Sequence, residues 1–352
     1  MKKTSLALIL LALALGGCSN TNKTDTQPTS TNTVNEQPQE KKELVTITLD
    51  ELENKDGVFY RVGEEQPFTG KVVGSLDKDK NLLVKNYVDG KLDGEYLTFY
   101  PNGEDREKEF YKNDKLDGEK ITYYNDGKEK KKVTYVEGVL NGPYTIYYEN
   151  GKEMEVGNYT NDQLSGEKTA YYRSGELKEK ENYVDGKLEG EKFVYYSNGN
   201  IKSKITYKNG EIEGDYITYY ENGNVNSKKT YINGNLTGNN VGYFQDGTVR
   251  VEKNYVDGKL DGKYITYYEN GQLMEDTSYI AGLPNGNKKT YYVTGQLRRE
   301  SNYVNGKLDG KYVTYYENGK IKNEYTYKDG KQVDSNESET TTDVKEETPT
   351  TK

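Results

Sequence analysis

Ten glycines set the frame of this chain: Gly94, Gly118, Gly142, Gly166, Gly190, Gly214, Gly238, Gly262, Gly286 and Gly310 follow one another every 24 residues, with no insertion. A period of roughly 20 to 50 residues marks an array of units that cannot bury an apolar face alone, so this register implies a repeat architecture. Asn182 to Gly199, NYVDGKLEGEKFVYYSNG, shows the unit well. A chain only 32% hydrophobic with 37 glycines would otherwise suit disorder, but its 36 tyrosines stand at fixed positions beside the glycines. Disordered chains lack both the aromatics and the period.

Each copy divides into two strands. Tyr216-Ile217-Thr218-Tyr219-Tyr220 is a β-branched and aromatic run, here strand B, and it stops at Glu221-Asn222-Gly223. Asn-Gly and Asp-Gly tolerate positive φ and mark hairpin turns, so a second glycine set, Gly103 through Gly319 at the same spacing, closes each strand B. Strand A follows, as in Ile201 to Lys208, and enters a longer loop, Asn209 to Gly214, which makes the first glycine set structural turn glycines. The expected fold is therefore all-β: an elongated single antiparallel meander of about eleven hairpin repeats, a rod on the order of 100 Å long at 4.8 Å per strand.

Alternation assigns the faces. The first tyrosine of each pair, Phe99 through Tyr315, shares a face with Leu97, Ile121, Phe193 or Ile217, the more apolar face by composition. The second points the other way beside threonines such as Thr98 and Thr266, and gives a candidate binding surface: Tyr100, Tyr124, Tyr148, Tyr172, Tyr196, Tyr220, Tyr268, Tyr292 and Tyr316, with Phe244 the exception. A third ladder on strand A runs unbroken from Tyr87 to Tyr327. Asp105, Glu129 and Glu153 stand where later copies carry Leu177, Ile201 or Val225, so the first third is expected to fray more readily.

The flanks differ in kind. Residues 1–17 have a basic start at Lys2 and Lys3 and an apolar run from Leu6 to Leu15, about half of the ~20 residues a spanning helix needs, and read as a secretory signal. Leu15-Gly16-Gly17-Cys18 resembles the bacterial lipobox, which implies cleavage before the only cysteine and its acylation. The two or three acyl chains that this resemblance implies would anchor stably in a membrane, and Ser19 after the cysteine fits outer-membrane sorting in a bacterium that has one. Residues 18–43 read as a polar tether with a mean reach of roughly 25 to 30 Å. Residues 44–86 form a divergent capping repeat, 87–330 the array proper, and 331–352 an acidic, Thr-rich tail without a packed core.

Tyr-Tyr-x-Asn-Gly, then a charged strand, then Tyr-x-x-Gly-x-Leu-x-Gly, preceded by Pro67-Phe68-Thr69-Gly70, resembles the bacterial variant of the MORN repeat over residues 58 to 330. Asp114 and Asp162 depart from its loop glycine and Pro284 from its loop leucine. The resemblance implies scaffolding and protein binding, and the antitoxin-like label carried by some members implies neutralising a toxin.

Chemistry finds little support. With no histidine, imidazole catalysis and histidine metal sites are excluded. Asp89 with Asp93, or Asp257 with Asp261, could suggest calcium, but their equivalents include Glu137 with Asn141 and Ala281 with Asn285, so turn roles are expected and no metal or cofactor. No acid and base pair stands out, so the chain is read as a non-enzyme. Removal of Lys2 and Lys3 with the leader leaves 47 basic against 58 acidic residues, a net charge of -11. That balance opposes nucleic acid as a partner and leaves another protein or a glycan.

Overall fold

The structure, a computed structural model, describes residues 44–75 and 82–333. The signal, Cys18 and the tether lie outside these residues, as does the tail from 334 on. Strands pair in chain order from Gly70–Ser75 through Lys331–Val333, each antiparallel to the last, in one 28-stranded sheet. Among the described residues the one parallel pairing sets Thr46–Thr48 against Gly70–Ser75 and closes the amino-terminal edge. Beyond it a separate hairpin, Leu52–Lys55 with Val58–Arg61, lies over the first copy, where the Phe59 amide donates to the Gly90 carbonyl.

The two connections of each copy have different geometry, and the first corrects the expected loop. After Ile201–Lys208 the chain reverses in two residues, Asn209 at φ 52° and Gly210 at φ 86°, and strand B begins at once at Glu211. Positive φ at both central positions defines the type I′ turn, whose twist matches that of the flanking strands. Gly214 is thus not in the turn. It lies inside Glu211–Tyr219, where the register shifts between Ile205 and Tyr207, and its φ of 100° keeps the site for glycine. All ten glycines of the 24-residue frame share this positive φ. At the other end the Gly223 amide donates to the Tyr220 carbonyl and Gly223 takes φ 90°, a three-residue loop ending in a left-handed glycine.

The departures at Asp114 and Asp162 leave the turn intact. Both hold φ near +65° (65° and 64°), and their carboxylates accept the Leu92 and Leu140 amides of the preceding copy. Aspartate tolerates the left-handed region, and here its side chain adds a bond that glycine lacks. The candidate calcium ligands serve the same end: Asp93 accepts the Asn113 amide and Asp261 the Ala281 amide.

Burial in the array is heavier on the face opposite to the one that composition favoured, although Ile121 and Val313, each 7% exposed, are buried on the favoured face. Thr98, Thr266, Thr277, Ser203, Ser301, Glu109, Glu181, Val133, Tyr144 and Ile205 are all buried and share the face of the strand A tyrosine ladder. The Leu97 and Ile217 face instead carries cross-strand ion pairs, Lys108 to Glu95, Lys132 to Glu119, Lys204 to Glu191 and Lys311 to Glu324. Apolar side chains there are diluted by lysine and glutamate at alternate positions. On the more buried face, small hydroxyl residues alternate along the strands with tyrosines, as Thr266 does with Tyr264 and Thr277 with Tyr279.

Those rings come from tyrosines outside the Tyr-Tyr pairs. Tyr96, Tyr144, Tyr216, Tyr264 and Tyr312 meet Tyr111, Tyr159, Tyr231, Tyr279 and Tyr327 of the ladder at centroid distances of 6.2, 4.9, 6.4, 5.8 and 5.9 Å. Where the same position holds lysine, an ion pair replaces the ring: Lys120 bonds Glu109, Lys168 and Lys192 flank Glu181, and Lys288 bonds Glu275.

The largest apolar cluster is at the amino-terminal end, where Ile47, Phe68, Val72 and Tyr87 are at most 4% exposed and Leu49, Leu52, Phe59 and Leu92 pack around them. Ile321–Lys328 and Lys331–Val333, by contrast, are exposed at every position but Tyr327. The exposed edge of the array is thus its carboxy-terminal one, while the copies with Asp105, Glu129 and Glu153 keep buried residues at Glu109, Ile121, Val133 and Tyr144. Amide exchange should be fastest from 321 to 333 and slow at 70 to 88; the opposite order would show that the cap does not hold the array.

A tyrosine and cation stripe as the candidate functional site

The nine tyrosines proposed as a surface share one arrangement. Each follows the last residue of a strand B, and in eight of them the hydroxyl donates to a backbone carbonyl 23 residues ahead: Tyr100 to Tyr123, Tyr124 to Tyr147, Tyr148 to Tyr171, Tyr172 to Tyr195, Tyr196 to Tyr219, Tyr220 to Tyr243, Tyr268 to Tyr291 and Tyr292 to Tyr315, at 2.7 to 2.9 Å. Each ring thus spans to the next copy and is half-buried. Tyr316 has no such bond and is 50% exposed. These hydroxyls fasten copy to copy, and the rings remain only partly covered.

Tyr196→Phe isolates the fastening. Removing one such bond is expected to lower stability by about 1 kcal/mol and to speed exchange near Tyr219. Phe244 shows that the ring alone is accommodated. A stability unchanged in urea titration would mean that the hydroxyl bond adds nothing to cohesion.

Beside the tyrosines runs a second row that sequence reading missed. From Asp105–Lys112 onward, each of the ten described A strands pairs with the preceding strand B through a bulge near its start; for example Thr290 faces Arg299 and Tyr291 faces Leu297, leaving Arg298 as the extra residue. A bulge re-aims a side chain that alternation would send to the opposite face. The extra residue is basic at Arg106, Lys130, Lys178, Lys202, Arg250, Arg298 and Lys322. Four of these cations sit on the row of tyrosines: Lys130 over Tyr124, Lys202 over Tyr196 and Lys322 over Tyr316 at 5.6 Å, and Arg298 over Tyr292 at 5.8 Å. Such contacts hold a cation against a ring face without neutralising it.

All seven are exposed, and among the described residues none forms a side-chain ion pair. The contrast with the lysines of the opposite face is physical. Those stand opposite residues such as Leu97, Ile121 and Phe193 and reach a glutamate diagonally across the ladder on the same face, whereas the bulge residue has no residue opposite it and is turned away from those acids. The net charge of -9 conceals this one-sided row. A weak signal exists in the sequence: a basic residue follows the first apolar residue of strand A in Leu177-Lys178, Ile201-Lys202, Val249-Arg250, Leu297-Arg298 and Ile321-Lys322. Its face could not be read without the bulge.

The stripe deepens into a groove of about 500 Å³ in the last copies, bordered by Tyr268, Tyr292, Arg298, Arg299, Tyr312 and Lys322. Arg299 lies over Tyr312 at 6.0 Å, and its buried Nε has no protein partner. The groove's one carboxylate, Glu275, is taken up by Lys288 and the Thr277 hydroxyl. Among the described residues no group of three or more histidine, cysteine, aspartate or glutamate side chains is placed to hold a metal ion.

The MORN repeat variant family matches eight 22-residue segments, 92–113, 140–161, 164–185, 188–209, 212–233, 260–281, 284–305 and 308–329, half of the chain. The chain belongs to that family and is a repeat-type binding module of all-β architecture. No curated protein matches it. Among solved structures, a TcdB2-TccC3-Cdc42 complex is similar at 13% identity and a TM-score of 0.15, over 77% of this chain and 16% of that one. The Photorhabdus luminescens Tc holotoxin pore is similar at 11% identity and a TM-score of 0.17, over 69% of this chain and 16% of that one. A porin-like protein from Bacteroides uniformis is similar at 10% identity and a TM-score of 0.13, over 73% and 93%. This chain thus spans about one sixth of the length of the first two.

Proposed function

We propose that this protein is a lipid-anchored binding module of the bacterial cell envelope, held to the membrane through acylated Cys18, with the tyrosine and cation stripe as its working surface. It is non-catalytic and takes no cofactor, and its partner is another protein or a glycan carrying negative charge. The observation that supports this reading most is the row of seven exposed, ion-unpaired basic residues beside half-buried tyrosine rings, in a chain of net negative charge. Exposed tyrosine offers contact area at small entropy cost, and unpaired cations choose the sign of what docks. The lipobox resemblance at Leu15 to Cys18 supports the anchor.

Crosslinking and capture from intact cells tests both parts. Cys18→Ala should move the protein out of the membrane fraction while leaving partner capture in lysate unchanged. The combined variant Lys130→Glu, Lys178→Glu, Lys202→Glu and Arg298→Glu should lose the partner while remaining at the membrane. Capture that survives all four reversals would rule out the stripe, and a Cys18→Ala protein still in the membrane fraction would rule out the anchor. A captured partner that is toxic alone and silenced by this protein would assign the antitoxin role.

A further inference from the structure

The carboxy-terminal groove has a candidate occupant in the same chain. It lies within the last copies of the array, bordered by Arg298, Arg299 and Lys322, none of which makes an ion pair among the described residues. The chain continues for 19 residues past Val333, and that segment is acidic: Asp334, Glu337, Glu339, Asp343, Glu346 and Glu347 against Lys345 and Lys352. Four of its acids, Asp334, Glu337, Asp343 and Glu346, fall on one threefold register.

Two spacings coincide. Successive stripe cations such as Arg298 and Lys322 are two strands apart, about 10 Å at the usual inter-strand distance. An extended polyproline-type peptide has three residues per turn and a rise near 3.1 Å, so every third side chain recurs on one edge at about 9 Å. Direction and reach also fit. Val333 pairs with Thr326 in antiparallel sense, so the chain leaves the sheet heading toward the end of Ile321–Lys328 that carries Lys322. Nineteen extended residues cover about 59 Å, against the roughly 29 Å of six strand spacings back to Tyr268.

We infer that this groove is a binding site for an extended acidic peptide, and that residues 334–347 of the same chain occupy it, their carboxylates meeting Lys322, Arg298 and Arg299 and their threonines lying against Tyr292 and Tyr268. The inference rests on reading the stripe as a binding surface and names the ligand class that surface selects. In the filled state, an external partner must displace the tail to use the last copies.

The full-length protein tests this with a photo-crosslinker in the tail, Thr340→p-benzoylphenylalanine. Irradiation should give intramolecular products that map to residues 268–323. Their yield should fall roughly tenfold in Arg298→Gln/Arg299→Gln/Lys322→Gln, as losing about 1.4 kcal/mol of attraction requires. It should fall likewise at about 1 M salt, where screening acts within about 3 Å. Arg298→Lys/Arg299→Lys should keep most of the product, since the charge remains. Products on the ion-pair face, or a yield indifferent to both charge and salt, would overturn the site. Products confined to covalent dimers would overturn occupation by the same chain and assign the tail to a second copy. Loss of tail products with envelope partner capture intact would overturn this inference alone, and loss of capture with tail products intact would overturn only the proposed function.

Discussion

Phe68→Ala is expected to destabilise the protein by about 3 to 5 kcal/mol, the range for removing a buried phenylalanine from a core that cannot collapse around the gap. Phe68 is 4% exposed, its ring lies 6.3 Å from that of Tyr87, and its backbone ties Phe59 to Gly90 on either side. No small side chain can fill the space from Gly70, where a Cβ would stand 2.4 Å from the Val45 carbonyl oxygen. In an array whose copies touch only their neighbours, the damage should stay local. Amide exchange should accelerate across 44 to 112 and remain unchanged beyond 250. A uniform loss along the whole array would show that it unfolds as one unit and that the nearest-neighbour picture is wrong.

Glu181→Ala is the second large effect and lies mid-array. The Glu181 side chain is 4% exposed, 3.1 Å from Lys168 and 2.9 Å from Lys192, and accepts the Tyr183 hydroxyl at 3.0 Å. Removing the shared acid leaves two lysines, each only about a fifth exposed (19% and 20%), without that partner, for a cost of about 3 kcal/mol. Replacing Glu181 and both lysines with methionine should recover only part of that, because Lys168 also pairs with Glu155 and Lys192 with Glu179, and those two glutamates lose their partners.

The same cluster gives a pH dependence. Burial pushes the Glu181 carboxyl up, but hydrogen bonds from Lys192 and Lys168 outweigh it and hold the carboxyl below its ordinary value. A depressed carboxylate contributes stability above its unfolded pKa, near 4.3, and loses it as pH falls through the lower folded value. Wild-type stability should therefore drop below about pH 4, and the triple methionine variant should show less of that drop. Burial, then the bond to Glu181, pushes the Tyr183 phenol up to about 12, so this site keeps a neutral ring through the alkaline range where free tyrosines ionise. Equal acid sensitivity in the two proteins, followed by urea titration at stepped pH, would remove Glu181 as its source.

The repeat and its strands were legible because glycine and tyrosine recur under hard constraints. A left-handed φ at a fixed offset admits little but glycine, and that preference is visible without coordinates. Where the glycine sits was not legible. Gly214 and Gly210 both take positive φ, and only pairing shows that the reversal is at Asn209-Gly210 and that Gly214 belongs to a bulge. The tyrosine pairs were found at the right positions, but a sequence cannot tell that a Tyr196 hydroxyl ends on the Tyr219 carbonyl.

What the sequence alone determined is the 24-residue unit, the antiparallel order of the strands and the alternation along each, since period, turn chemistry and side-chain direction are local properties. The tertiary structure decided which face is the more buried and which cations stay unpaired. Burial depends on what neighbouring strands place beside a side chain, so Thr266 on the face of the tyrosine ladder is buried while Leu97 among lysine and glutamate is less so. The stripe depends on one extra residue per strand: alternation would send Arg298 away from its tyrosine, and the bulge sets it over Tyr292 with no acid across the ladder.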